Sequence, residues 1–328
     1  MALVYLMRFD MRTAEGGRST TELYRAALEM AEYGERHGAL TTVLCEHHGI
    51  ADGYLPAPMT LATAMAARTS TLPINISVLQ LPLYDPVRLA EEMCVLDIIS
   101  GGRVSYTTAI GYRPDEYAMY GVDFHRRGKI AEEKLGVLLA AKTGEPFEYE
   151  GRHIHVTPGP VTPGGPTVSW GGGSLPAARR AGRHGIGFFG QKEDPALAEA
   201  YEAEARTHGH EPGFCYLPPR DSATTVFVAD DLDEAWAELG PYLMHDVLSY
   251  AEWNAGDTEV TSTSAATTVD ELRAENRSHR ILTVDEAVAS IQAGRPLALH
   301  PLVGGLPPEV AWKYLKVVGE TVMPALAN

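Results

Sequence analysis

From end to end the chain alternates short apolar runs with longer segments whose apolar residues recur at helical spacing. The apolar runs fall at 3–9, 40–45, 74–79, 103–109, 167–170, 186–189, 224–228 and 297–300. The first helix opens at Ser19, with Glu22 at capping-box spacing. It continues through Leu23, Ala26, Ala27, Met30, Ala31 and Gly34. Further helices are expected over 58–68, 86–99, 127–141, 174–184, 195–208, from near Asp231, and over 283–293 and 307–323. Strand–helix–strand repetition requires parallel strands, and eight such units fit a closed (β/α)8 TIM barrel better than one open sheet. With no linker or repeat, the 328 residues read as one barrel domain with two insertions. One, near 147–166, is a small hairpin turning at Glu150-Gly151 and a Pro/Gly-rich loop; the other, 254–280, is polar and irregular.

In a parallel barrel the C-terminal strand ends carry the chemistry. The run Thr42-Val43-Leu44-Cys45 ends in Glu46-His47-His48, three titratable residues delivered to that rim. A histidine there serves as an acid/base group whose neighbour fixes its tautomer, or simply as a polar strand end that caps a loop. His153 and His155 alternate on a hairpin strand and, with His47, would offer a metal set. No H-E-x-x-H or paired Cys/His spacing supports that reading. Gly171-Gly172-Gly173-Ser174 sits between a strand and a helix. Ser174 is a natural N-cap, and the free N–H groups of such a turn suit a phosphate. The alternative is a tight turn that needs glycine. Gly185-Ile186-Gly187-Phe188-Phe189-Gly190 has the G-x-G-x-x-G spacing, but its apolar residues are themselves the strand, so it is no dinucleotide fingerprint. Gly111-Tyr112-Arg113 follows the fourth strand and offers Arg113 to an anion.

A net charge of −16 argues against nucleic acid and anionic membrane as partners. Three dispersed cysteines, no CxxC, and an apolar stretch at 2–7 too short for an export signal point to the cytoplasm.

These features together resemble the bacterial luciferase-like superfamily of flavin- or deazaflavin-dependent oxidoreductases. The resemblance rests on Glu46-His47-His48, on Leu81-Pro82-Leu83-Tyr84-Asp85-Pro86-Val87-Arg88, and on Leu96-Asp97-Ile98-Ile99-Ser100-Gly101-Gly102-Arg103. It continues in Gly111-Tyr112-Arg113-Pro114-Asp115-Glu116-Tyr117 and Gly304-Gly305-Leu306-Pro307. It implies a barrel, usually a homodimer, with a flavin across its C-terminal mouth. It places the catalytic histidine at His47, supported by Glu46 and His48. The ring-supporting strand end, often with a cis peptide, falls at Ser77-Val78, and the phosphate loop at Gly172, Gly173 and Ser174. Where many relatives carry a phosphate-binding arginine this chain has Ile110, and Arg113 is the nearby substitute. Ala109 stands where luciferase has a reactive cysteine, so light emission is not implied.

The expected activity is a monooxygenase using reduced FMN and O2 on a small, mostly apolar organic substrate. NAD(P)H would be the direct or indirect reductant, the latter through a separate flavin reductase, and the 254–280 segment would close the site. The alternatives are a deazaflavin-dependent dehydrogenase or reductase and a non-catalytic flavin-binding protein.

Overall fold

The computed structural model describes residues 4–13, 19–254 and 259–326. Residue 3 of the expected first strand and 255–258 of the expected second insertion lie outside the described residues. The chain opens with β1 (Tyr5–Phe9), α1 (Thr20–Arg36), β2 (Ala39–Leu44), α2 (Pro58–Arg68) and β3 (Ile74–Gln80). Then come α3 (Pro86–Ser100), β4 (Val104–Ala109), α4 (Pro114–Tyr120), α5 (Arg127–Ala141) and the hairpin β5 (Phe147–Tyr149) and β6 (Arg152–Ile154). The next elements are β7 (Val168–Gly172), α6 (Leu175–Arg183), β8 (Gly187–Gly190), α7 (Pro195–Thr207), β9 (Cys215–Tyr216) and β10 (Thr225–Val228). The last are α8 (Leu232–Trp253), α9 (Val269–Glu275), β11 (His279–Leu282), α10 (Val284–Gln292), β12 (Leu297–Leu299) and α11 (Pro308–Val317).

Apart from the β5–β6 hairpin, the strands form one ladder in the order β11-β10-β12-β1-β2-β3-β4-β7-β8-β9. Every pairing in it is parallel. Tyr5 on β1 faces Ala39 of β2 on one side and Leu297 of β12 on the other. A first strand flanked by the second and the last has been wound back to its start, which is the (β/α)8 arrangement. All eight expected strands are present.

Two parts of the sequence reading are corrected. The stretch 254–280 is not simply irregular, since it contains α9 and the first two residues of β11. Thr268 caps α9 by accepting from Glu271 N, and Asn276 ends it in the left-handed conformation. The short strand β9 was not expected either; it extends the ladder beyond β8. The described part of the second insertion is bonded to the barrel and to itself. Thr261 N donates to Gln191 O at 3.0 Å, and Arg277 reaches the carbonyls of Thr261 and Thr263.

Local chemistry places the elements. Ser19 and Glu22 form the capping box of α1, and Asp85 caps α3 by accepting from Val87 N and Arg88 N. Gly101 then closes α3 in the left-handed region, at φ 64°. On β1, Tyr5, Met7 and Phe9 are buried against the helices. A Cβ on Gly34 of α1 would stand 2.2 Å from Met7 Cε. Leu6 and Arg8 point the other way, into the ring of strands. No helix among the described residues is long and apolar enough to cross a membrane.

The loop after β12 is equally constrained. Gly304 has φ 57°, and a Cβ there would lie 2.3 Å from the backbone oxygen of Tyr242 in α8. Backbone cannot swing aside as a side chain does. Gly304→Ala is therefore expected to cost about 1–3 kcal/mol, measured as a lower midpoint in chemical denaturation. An unchanged midpoint would show that α8 yields at this contact.

Candidate active site

Parallel strands bring the ends of β1, β2, β3, β4, β7 and β12 to one rim. There β2 delivers Glu46, His47 and His48, all buried. His47 Nδ1 lies 2.8 Å from Oε1 of Glu116, which α4 contributes in its first turn. A carboxylate accepts, so Nδ1 carries the proton. Tyr112 OH lies 3.1 Å from His47 Nε2. The ring packs edge-on to Tyr54, Tyr112 and Tyr250, and lies at 5.0 Å from Trp253.

His48 is wired the same way. Its Nε2 lies 3.1 Å from Glu46 Oε1, and Tyr120 OH approaches Nδ1 at 3.1 Å. Glu46 also accepts from Tyr84 OH and, at 2.6 Å, from Gln80 N. Glu116 accepts from His48 N at 2.9 Å. Burial opposes ionisation of Glu116, but the hydrogen bond and charge of His47 and the His48 N–H bring its carboxyl below the usual range. Burial pushes the Tyr112 and Tyr84 phenols upward, with Tyr250 adding at Tyr112 and Glu46 at Tyr84.

Ser77-Val78 is a cis peptide, and the β3–β4 register shifts there. Side chains at Gly171, Gly172 and Gly173 would crowd their neighbours, most of all at Gly172. Built Cβ atoms would stand 3.1 Å from Val78, 2.7 Å from Ala177 and 3.0 Å from Gln191 respectively. Ser174 caps α6 by accepting from Ala177 N. This loop therefore presents backbone at a helix N-terminus, the donor set a phosphate requires. Gly111 has φ 69°, with its Cβ position filled by Gln80. Arg113 is engaged in the histidine network. It donates to His48 O at 3.1 Å, lies 3.5 Å from Glu116 and stacks 5.1 Å over Trp253. The structure thus brings Glu46, His47, His48, Gly111 and Arg113 into one network. Ser77, Val78 and the glycine loop form a second group, joined where Gly171 meets Val78. His153 lies apart, exposed on its hairpin and bonded to Glu148.

Sequence reasoning missed Glu116 as a partner of His47, and with it Tyr112, Tyr84, Tyr250 and Trp253. Glu116 had one signal: an acidic residue two places after a proline, where a helix begins at a strand end.

A second, largely buried network flanks the first, with His245 at its more exposed edge. Arg8 and Arg12 of the β1 end meet Asp10, Asp52 and Asp246, with His245, His279 and His300 between them. Among the described residues, Asp10, Asp246 and His300 hold possible metal-ligand atoms within 4.8 Å of one another. Arg8 already fills that place, with Nη2 3.1 Å from His300 Nδ1 and 3.4 Å from Asp246 Oδ2. A guanidinium only donates, so His300 Nδ1 accepts and the neutral ring's proton sits on Nε2. This is an ion-pair cluster, and a metal ion there would meet the charge of Arg8.

Comparison with known proteins fits this geometry. The family model of luciferase-like monooxygenases matches residues 4–295. The chain belongs to that family. The alkanal monooxygenase alpha chain of Photorhabdus luminescens is 26% identical over 203 residues, 59% of this chain and 56% of its own length. Protein y4vJ of Sinorhizobium fredii is 30% identical over 141 residues, 43% of this chain and 40% of its own length. The chain thus spans about half the length of the curated relatives it matches. Monooxygenase RslO1 of Streptomyces bottropensis shares the fold with a TM-score of 0.75 at 18% identity, over 98% of this chain and 99% of its own. The oxygenating constituent of 3,6-diketocamphane monooxygenase of Pseudomonas putida, solved with FMN, gives 0.73 at 19% identity, over 99% and 98%. An F420-dependent secondary alcohol dehydrogenase, solved with an F420–acetone adduct, gives 0.68 at 16% identity, over 99% of each chain.

The family's barrel depends here on buried charge. Burial opposes ionisation of Asp246, but the Arg8 charge and the His279 hydrogen bond hold its carboxyl well below the usual range. Asp52 is lowered against burial by His245 and Arg12. Groups depressed on folding stabilise above their unfolded pKa, and that contribution is lost as pH falls below it. Stability should therefore fall below about pH 4. Asp246→Asn should cost about 3–5 kcal/mol at neutral pH by leaving Arg8 and Arg12 underpaired, and should flatten the acid limb. Urea midpoints across pH measure both, and an unchanged acid limb would remove Asp246 from this role.

Proposed function

We propose that this chain is a flavin-dependent monooxygenase in which reduced FMN and O2 oxidise a small, mostly apolar organic substrate. The observation that carries the reading is His47 itself. It stands at the mouth of the barrel with its proton held on Nδ1 by a buried carboxylate, leaving Nε2 as the acid/base atom. The aromatic wall of Tyr54, Tyr112, Tyr250 and Trp253 shields that atom from water and favours an apolar substrate.

The residues present fit a flavin. The backbone at Gly172, Gly173 and Ser174 would hold its phosphate, and the strand end at Ser77-Val78 with Gly111 would support its ring. When bound, the flavin supplies the redox chemistry. His47 holds or releases a proton at Nε2, and Glu116 stabilises the charged ring. Glu46 and His48 fix the loop that carries His47. Homodimer assembly, cytoplasmic location, and reduction by NAD(P)H directly or through a separate reductase belong to the same proposal.

Deazaflavin is the second reading, because the same His47 geometry serves a hydride transfer to or from an alcohol. An extended acidic cofactor tail favours free cations. Here Arg113 is bound to His48 O, and Arg180 to Glu132 and Gly128 O. That observation, with a net charge of −16, favours FMN.

Titration with FMN and with deazaflavin, followed by absorbance and by mass of the bound species, tests the reading. Tight FMN binding with NAD(P)H-linked O2 consumption is expected. Binding of deazaflavin alone selects the second reading, binding without turnover means a flavin-binding protein, and binding of neither removes both enzymes. His47→Ala should leave flavin affinity nearly intact while slowing turnover about 100-fold or more. Unimpaired turnover would take His47 out of the chemistry.

A further inference from the structure

His47 has no free edge. Glu116 takes Nδ1, Tyr112 takes Nε2 at 3.1 Å, and Tyr54 and Trp253 pack against the ring. The residue is 7% exposed, whereas Tyr112 is only half-buried. With Nδ1 taken by Glu116 and Nε2 by Tyr112, the Tyr112 hydroxyl is the group through which a proton reaches or leaves the imidazole. We propose that Tyr112 is the catalytic residue that contacts the reacting oxygen, with His47 behind it as proton relay and Glu116 as positioning residue.

The relay balances without a further reactant. When a substrate hydroxyl is deprotonated, its proton passes to the Tyr112 oxygen, and the Tyr112 proton passes to His47 Nε2. The electron pair of the broken O–H bond stays on the substrate oxygen. His47 becomes the imidazolium, held through Nδ1–H by the Glu116 carboxylate. Protonation of a substrate oxygen is the same sequence reversed. The two transfers are concerted, so tyrosine never stands as phenolate, in keeping with the upward push of burial on its hydroxyl. Glu116 suits its part: it is fully buried and below the usual carboxylate range, and it accepts from His47 Nδ1, His48 N and Arg113.

This inference rests on the oxidoreductase reading, and the experiment separates the two. The first arm needs no cofactor. In protein labelled with ¹⁵N at histidine, neutral His47 should show a protonated Nδ1 and a hydrogen-bonded acceptor Nε2. Tyr112→Phe should move the Nε2 resonance downfield and leave Nδ1 in place. Glu116→Gln should shift the tautomer population toward Nε2–H. In the second arm, Tyr112→Phe should lower turnover by about 100- to 10,000-fold, the range of positioned acid/base groups, with flavin affinity within about twofold of wild type. An Nε2 resonance unmoved in Tyr112→Phe, or turnover retained in that variant, overturns the relay while leaving the functional reading intact. A wild-type chain that binds neither FMN nor deazaflavin overturns the reading, and the relay with it.

Discussion

The carboxylate of Asp246 ties the helix over the site to the strands beneath it. From α8 it meets Arg8 and Arg12 of the β1 end and His279 of β11. A buried carboxylate with fewer donors would be costly; with these it is a fixed point. The last turns of α8 then lie where Tyr250 and Trp253 pack against His47. Tyr54 OH and Tyr250 OH meet at 2.8 Å, and Arg12 stacks 5.3 Å from Trp253. The aromatic wall is thus set by ion pairs that make no contact with His47 themselves.

Two histidines follow each other on the β2 end with the same wiring, a carboxylate on one nitrogen and a tyrosine hydroxyl on the other. Their partners separate them. His48 is held by its own neighbour Glu46, which is further occupied by Tyr84 and Gln80. That is a brace for the loop. His47 is held by Glu116, a residue of another element, which also accepts from His48 N and Arg113, and its other nitrogen meets Tyr112. Adjacent residues of one type thereby take different parts through what surrounds each ring.

Much of this was legible beforehand. The eight apolar strand runs and the caps at Ser19 and Ser174 are local signals, carried by a few neighbouring residues. Strand β11 was hidden because two of its four residues are His279 and Arg280, and His279 is buried only because Asp246 lies across from it. The tripeptide at the β2 end was readable as a candidate site, but not its partners. Glu116 stands 69 residues from His47, and Trp253 comes from a helix more distant still. Such pairs are made by the closing of the barrel, and single-chain periodicity carries no trace of them. Arg113 shows the reverse: a cation at a strand end suggested an anion, and the fold spends it on a carbonyl and a carboxylate.

Gln191 sits between two loops. Its side chain occupies the space beside Gly173, and its carbonyl accepts from both Thr261 N and Thr261 Oγ1. Arg277 in turn grips the carbonyls of Thr261 and Thr263 and pairs with Glu275. The glycine turn and the segment leading into β11 are therefore geared together through one glutamine. A substitution at Gln191 would therefore be felt at both the glycine turn and the segment before β11.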